Sequence, residues 1–124
     1  MTDIRLSLLP HTWLIDVDGT IVRHNGHKLE REELLEGVRE FWSQIPDADV
    51  VVLLSARTQA EMGPTLDFLK QHGCRYDHVL FSLPVGERIL VNDSKPGGLN
   101  TAMSINVKRD TGLSGFRISL DPEL

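Results

Sequence analysis

The run Val50-Val51-Val52-Leu53-Leu54, set between Asp49 and Ser55, constrains this chain more than any other stretch. It is the longest unbroken apolar run, too short for a membrane span, and its lack of alternation means that both faces are covered. Such a run reads as a central strand of a parallel sheet, so the class is α/β. The neighbouring segments agree. Trp13 to Val17 reads as a buried strand that stops at the turn pair Asp18-Gly19. From Glu30 to Ile45 the apolar residues Leu34, Val38, Phe41, Trp42 and Ile45 recur at helical spacing, and Pro46-Asp47 ends that helix. Residues 20 to 28, with Asn25-Gly26, read as a hairpin flap.

Further on, Thr58-Gln59-Ala60-Glu61 has capping-box form, and Met62, Leu66 and Leu69 carry an apolar stripe to a stop at Gly73. Pro64 means that this helix either restarts there or kinks there, because proline has no amide for the helix ladder. His78 to Phe81, Arg88 to Val91 and Ser104 to Val107 read as short strands. Residues 108 to 124 are weakly patterned, with a short edge strand at Phe116 to Leu120.

A chain of 124 residues fits one domain spanning residues 1–124. Its formal charge of −5 and lack of a Lys/Arg cluster argue against nucleic acid or an anionic membrane surface as partner. The lone Cys74 and an N-terminus with Asp3 and Arg5 among its apolar residues suit a cytoplasmic protein without a membrane segment. The five histidines form no zinc-binding pattern, and Trp13 and Trp42 read as core residues.

The densest chemical signal is Asp16-Val17-Asp18-Gly19-Thr20 directly after an apolar strand. Asp-Gly alone is ordinary turn chemistry. Two carboxylates at i and i+2 on the carboxyl end of a parallel strand, where open α/β sheets bind ligands, point to a site instead.

These residues resemble the first motif of the haloacid dehalogenase superfamily of phosphohydrolases, hhhDxDGT. Ser55 after VVVLL is similar to the second motif, and Asp93 in ILVND to the acid of the fourth. The resemblance runs in order over roughly residues 12–107 and implies a Rossmann-like three-layer α/β/α sandwich around a parallel sheet. Thirty-five positions from Thr20 to Ser55 and thirty-eight from Ser55 to Asp93 leave no room for an inserted cap, as in the superfamily's capless branch. Such members act on large substrates or borrow a neighbouring subunit as a lid, so a homo-oligomer is expected.

The implied activity is Mg2+-dependent hydrolysis of a small phosphate monoester through an aspartyl-phosphate. Two unit negative charges at 4 Å repel by about 4 kcal/mol at an effective dielectric near 20, which a cation must offset. By the resemblance, Mg2+ is held by Asp16, Asp93 and the main-chain carbonyl of Asp18. Asp16 is the nucleophile, and Asp18 is the general acid and then base, a double role that calls for a raised carboxyl pKa. Ser55 and the Ala56 amide bind phosphate, and Arg57 either clamps phosphate or substrate or serves in a surface or structural ion pair.

The third-motif lysine has no counterpart in Phe81-Ser82-Leu83-Pro84. Lys95, two residues past Asp93, is the expected replacement, ahead of Arg88, which would stand at the wrong end of its strand, and of Lys70, late on the second helix. The phrases HTWLIDVDGTIVRHNG and GERILVNDSKPGGLNTA are also similar to small superfamily members tied to surface-carbohydrate synthesis, which turns the substrate expectation towards a phosphorylated sugar. The competing reading is a catalytically weak phosphate-binding or regulatory protein on the same fold, supported by the absent lysine.

Overall fold

A computed structural model of the chain describes residues 1–29 and 32–124. The protein is a small α/β structure with parallel strands in open sheets. Three strands form one sheet in the order β2-β3-β4: β2 (Thr12–Asp16), β3 (Val50–Leu54) and β4 (His78–Leu80). In its register Asp16, Leu54 and Leu80 stand level at the carboxyl end. Val51, Val52, Leu53 and Leu54 of β3 are all buried, as expected of a strand covered on both faces. Leu14 and Leu80, on the flanking strands, stay half-exposed.

A second sheet is built from the ends of the chain. β1 (Thr2–Leu6) pairs in parallel with β5 (Phe116–Leu120), Ile4 opposite Ile118. The strand at 116–120 was expected, but its partner was not. The core accordingly reaches past residues 12–107 at both ends, taking in Ile4 and Leu113.

The first helix, α1 (Val38–Gln44), is shorter than the expected span from Glu30 to Ile45. Arg23 donates its amide to the Glu33 carbonyl and Leu35 donates its own to Ile21, so residues 33–35 pair with the chain after β2 instead of coiling. Gly37, at φ +78°, then sets the helix start. Glu30 and Arg31, also within the expected helix, lie outside the described residues. α1 packs Phe41 edge-on against Trp13 of β2 and Phe116 of β5, joining the two sheets.

The second helix, α2 (Gln59–Gln71), runs unbroken through Pro64 from a Thr58/Glu61 capping box. It ends before Gly73, which takes φ +76°. The flap holds a 3-10 turn, Gly26–Leu29, and a bridge from Val22 to Leu34 in place of a simple hairpin.

The expected strands at 88–91 and 104–107 do not form. Residues 84–98 are exposed, among them Val85, Ile89 and Val91, and most of 100–106 follow suit. Only seven residues lie between Leu80 and Arg88, whereas a crossover to a further parallel strand takes a dozen or more, usually with a helix. With no strand at 88–91, the run at 104–107 meets no prepared edge. Both segments instead wall a cavity of about 600 Å3 beside β2, into which Leu14, Arg88, Leu90 and Ile105 project their surfaces. Among the described residues no helix is long and apolar enough to cross a membrane.

Candidate active site

β2 delivers Asp16 to the carboxyl end of its sheet, and the Val17 amide still pairs with the Leu54 carbonyl of β3. The chain then folds tightly. The amides of Ile21 and Val22 both donate to the Val17 carbonyl, and Gly19, at φ +81°, supplies the left-handed residue this turn requires. The turn holds the carboxylates of Asp16 and Asp18 on either side of buried Val17, and a cavity of about 260 Å3 opens over them, lined by Asp16, Asp18, Gly19, Thr20, Val107 and Arg109.

Each carboxylate has its own arginine. Arg88 Nη1 donates to Asp16 Oδ1 at 2.6 Å, while Thr20 Oγ1 donates to Asp16 Oδ2 at 2.9 Å. Arg57 grips Asp18 with a two-pronged fork, Nε to Oδ2 at 2.9 Å and Nη2 to Oδ1 at 2.8 Å. The same guanidinium reaches Glu32 at 2.6 and 3.0 Å and Thr65 Oγ1 at 2.9 Å. Its side chain is 1% exposed, against 18% and 19% for its two acidic partners.

This geometry shifts Asp18 the opposite way to the expectation. Burial pushes its carboxyl up, but the hydrogen bonds and charge of Arg57, with the charge of His27 and the Asn25 amide, outweigh it and hold Asp18 below the usual carboxylate range. The raised proton affinity assigned to a general acid is therefore corrected, because a buried fork of two charge-assisted bonds stabilises the ionised form. Asp18 is held ionised, with both its oxygens accepting from Arg57. Next to it, His27 Nδ1 lies 4.0 Å from Asp18 Oδ1, and His27 Nε2 contacts the Glu61 carboxylate that caps α2.

Ser55 closes the end of β3. It is fully buried, its Oγ accepts the Arg57 amide at 2.9 Å, and its carbonyl accepts the Leu83 amide. Ala56 is exposed between two buried neighbours, at the same sheet edge.

The sequence thus brings Asp16, Asp18, Ser55, Ala56 and Arg57 to one edge. Asp93 and Lys95 stand apart on the exposed segment. There the Asp93 carbonyl accepts the Thr101 hydroxyl, and Lys95 sits in a turn closed by its amide on the Leu99 carbonyl at 2.8 Å. Among the described residues no three acids, histidines or cysteines gather as a metal would need, so the side chains as placed do not fit the Mg2+ set that the resemblance implies. Arg88, set aside on the strand reading, is the cation that meets Asp16, since without that strand its position is no longer tied to the far end of the sheet.

Three further residues belong to this edge and were not singled out in the sequence: Glu32, Thr65 and Arg109. Glu32 and Thr65 were hidden within amphipathic segments. Arg109 lies in the weakly patterned tail, where the turn-forming Asp110 and Gly112 were the available signal. Protein-family models, curated proteins and solved structures contain no match to the chain.

Proposed function

We propose that the chain is a phosphohydrolase of haloacid dehalogenase type, built on the capless three-layer form of that fold and cleaving a small phosphate monoester, a sugar phosphate being the favoured class. The observation that carries the reading is the pair Asp16 and Asp18 on the carboxyl end of a parallel strand, opening into one small polar cavity with arginines at both carboxylates.

In the first step a carboxylate oxygen of Asp16 attacks phosphorus; the Asp16 O–P bond forms and the ester O–P bond breaks. Thr20 fixes the Asp16 carboxylate by its hydroxyl, and Arg88, paired with Asp16, offsets part of the repulsion as the phosphate approaches. The departing oxygen takes its proton from water in the open mouth. In the second step Asp18, kept ionised by Arg57, takes a proton from the water that attacks the aspartyl-phosphate, releasing inorganic phosphate and restoring Asp16, and then gives that proton to the hydroxide left when water protonated the departing oxygen. Assays with and without added Mg2+ measure its contribution directly.

A metabolite phosphatase panel tests the reading. Wild type releases phosphate from at least one ester, and Asp16→Asn releases none while keeping the wild-type circular dichroism spectrum. No release from any ester, with or without Mg2+, refutes it. One observation favours a second reading, a phosphate-binding regulatory protein: both carboxylates are already neutralised by arginine. Saturable phosphate binding with no turnover is its signature.

A further inference from the structure

We infer that Arg109 is a substrate-binding residue, its guanidinium holding the phosphate group of the ester in the small cavity over Asp16 and Asp18; this rests on the phosphohydrolase reading. The tail that carries it is fastened onto the catalytic turn. The Asp110 amide donates to the Gly19 carbonyl at 2.9 Å, and Asp110 Oδ1 accepts the His24 amide at 2.8 Å. Asp110 takes φ +64°, a left-handed conformation that Asp tolerates better than most residues and that turns the chain here.

This latch lays the stem of Arg109 across Gly19, where a Cβ would come within 3.1 Å of Arg109 Cγ. Gly19 thus serves twice, in its own turn and in the close passage of the arginine.

The cavity's lining explains what Arg109 is for. Among the described residues six line it, two of them acids and one, Arg109, a cation. Arg57 is buried on Asp18 and Glu32, and Arg88 is spent on Asp16. Among the described residues no ion pair engages Arg109, although two carboxylates line the same cavity. Arg109 is exposed, lines the same cavity as Asp16 and Asp18 and is paired with neither, which leaves its charge available to an anion entering there. The planar fork of arginine matches two phosphate oxygens at once, as lysine does not.

The latch itself runs through Asp110 and the backbone, so removing the Arg109 side chain leaves it in place. The experiment titrates wild type, Arg109→Ala and Arg109→Lys with inorganic phosphate by calorimetry. The same proteins are assayed with an ester that wild type hydrolyses, and their Tm values are compared.

Loss of a charge-assisted hydrogen bond at a partly exposed site predicts about tenfold weaker phosphate binding in Arg109→Ala. KM rises by a similar factor, Arg109→Lys recovers part of the loss, and Tm does not change. Phosphate affinity and KM within twofold of wild type in Arg109→Ala overturn the inference while leaving the phosphohydrolase reading standing. So does a fall in Tm with unaltered affinity, the mark of a purely structural role. A wild type that neither binds phosphate nor hydrolyses any ester overturns both.

Discussion

Replacing Arg57 with alanine removes the cation that bonds both Asp18 and Glu32. Arg57 contributes four hydrogen bonds to these carboxylates and one to Thr65, from a side chain that is 1% exposed. Breaking a fully buried ion pair by deleting one partner costs about 3–5 kcal/mol. Here the two acids keep 18% and 19% exposure, so water can partly resolvate them and the cost falls near the lower end, about 3 kcal/mol. Unfolding entropy scales with length, and for 124 residues it is about 0.26 kcal/mol/K, so this loss lowers Tm by about 11 °C.

The effect has a pH signature. Arg57 depresses the Asp18 pKa, so its stabilisation is fully present above the unfolded carboxyl pKa of about 3.9 and disappears as pH falls through the lower folded value. Urea unfolding followed by the fluorescence of Trp13 and Trp42 reads both terms. The difference between wild type and Arg57→Ala is large at pH 7 and narrows in acid. A difference under about 1 kcal/mol at pH 7 would refute the idea that this fork organises the site.

Three further outcomes follow from the geometry. Gly112→Ala places a Cβ 2.1 Å from the Glu36 carbonyl oxygen at φ +80° and costs at least about 2 kcal/mol in urea unfolding, while Gly115→Ala, with open space around it, changes little. Asp49 is buried, which raises its pKa, but the Trp13 indole, the His11 amide and the His11 ring outweigh that and hold it low. Its stabilisation therefore holds above about pH 3.9 and vanishes as pH drops through the lowered value, and Asp49→Asn flattens the acid limb of a Tm-against-pH curve. Burial pushes the Cys74 thiol up to about 11, so a thiol reagent leaves it unmodified in the native protein and labels it in denaturant.

The parts of the molecule legible in the sequence are those governed by local pattern. Val50–Leu54 had to be an inner strand because nothing in it tolerates water, and Thr58 with Glu61 starts α2 by a bond pair between near neighbours. The two acids at the end of β2 were legible for the same reason. What escaped was set by chain passage in three dimensions. Arg88 to Val91 has the composition of a strand, but the short link from β4 gives it no route to a parallel partner. Thr2–Leu6 becomes a strand only because residues 116–120 return beside it from the far end of the chain. An ion-pair role for Arg57 was one of its two readings, but its partners escaped, since Glu32 and Thr65 lie 25 positions before it and 8 after it, and only folding brings all three together.

The most direct test of the central claim traps the reaction on the protein. Wild type mixed with a hydrolysable ester, quenched in acid within a turnover and digested, should yield a phosphorylated peptide modified at Asp16, with no adduct from Asp16→Asn. Phosphate release that continues in Asp16→Asn, or turnover by wild type that leaves no label on Asp16 at any quench time, would contradict the account.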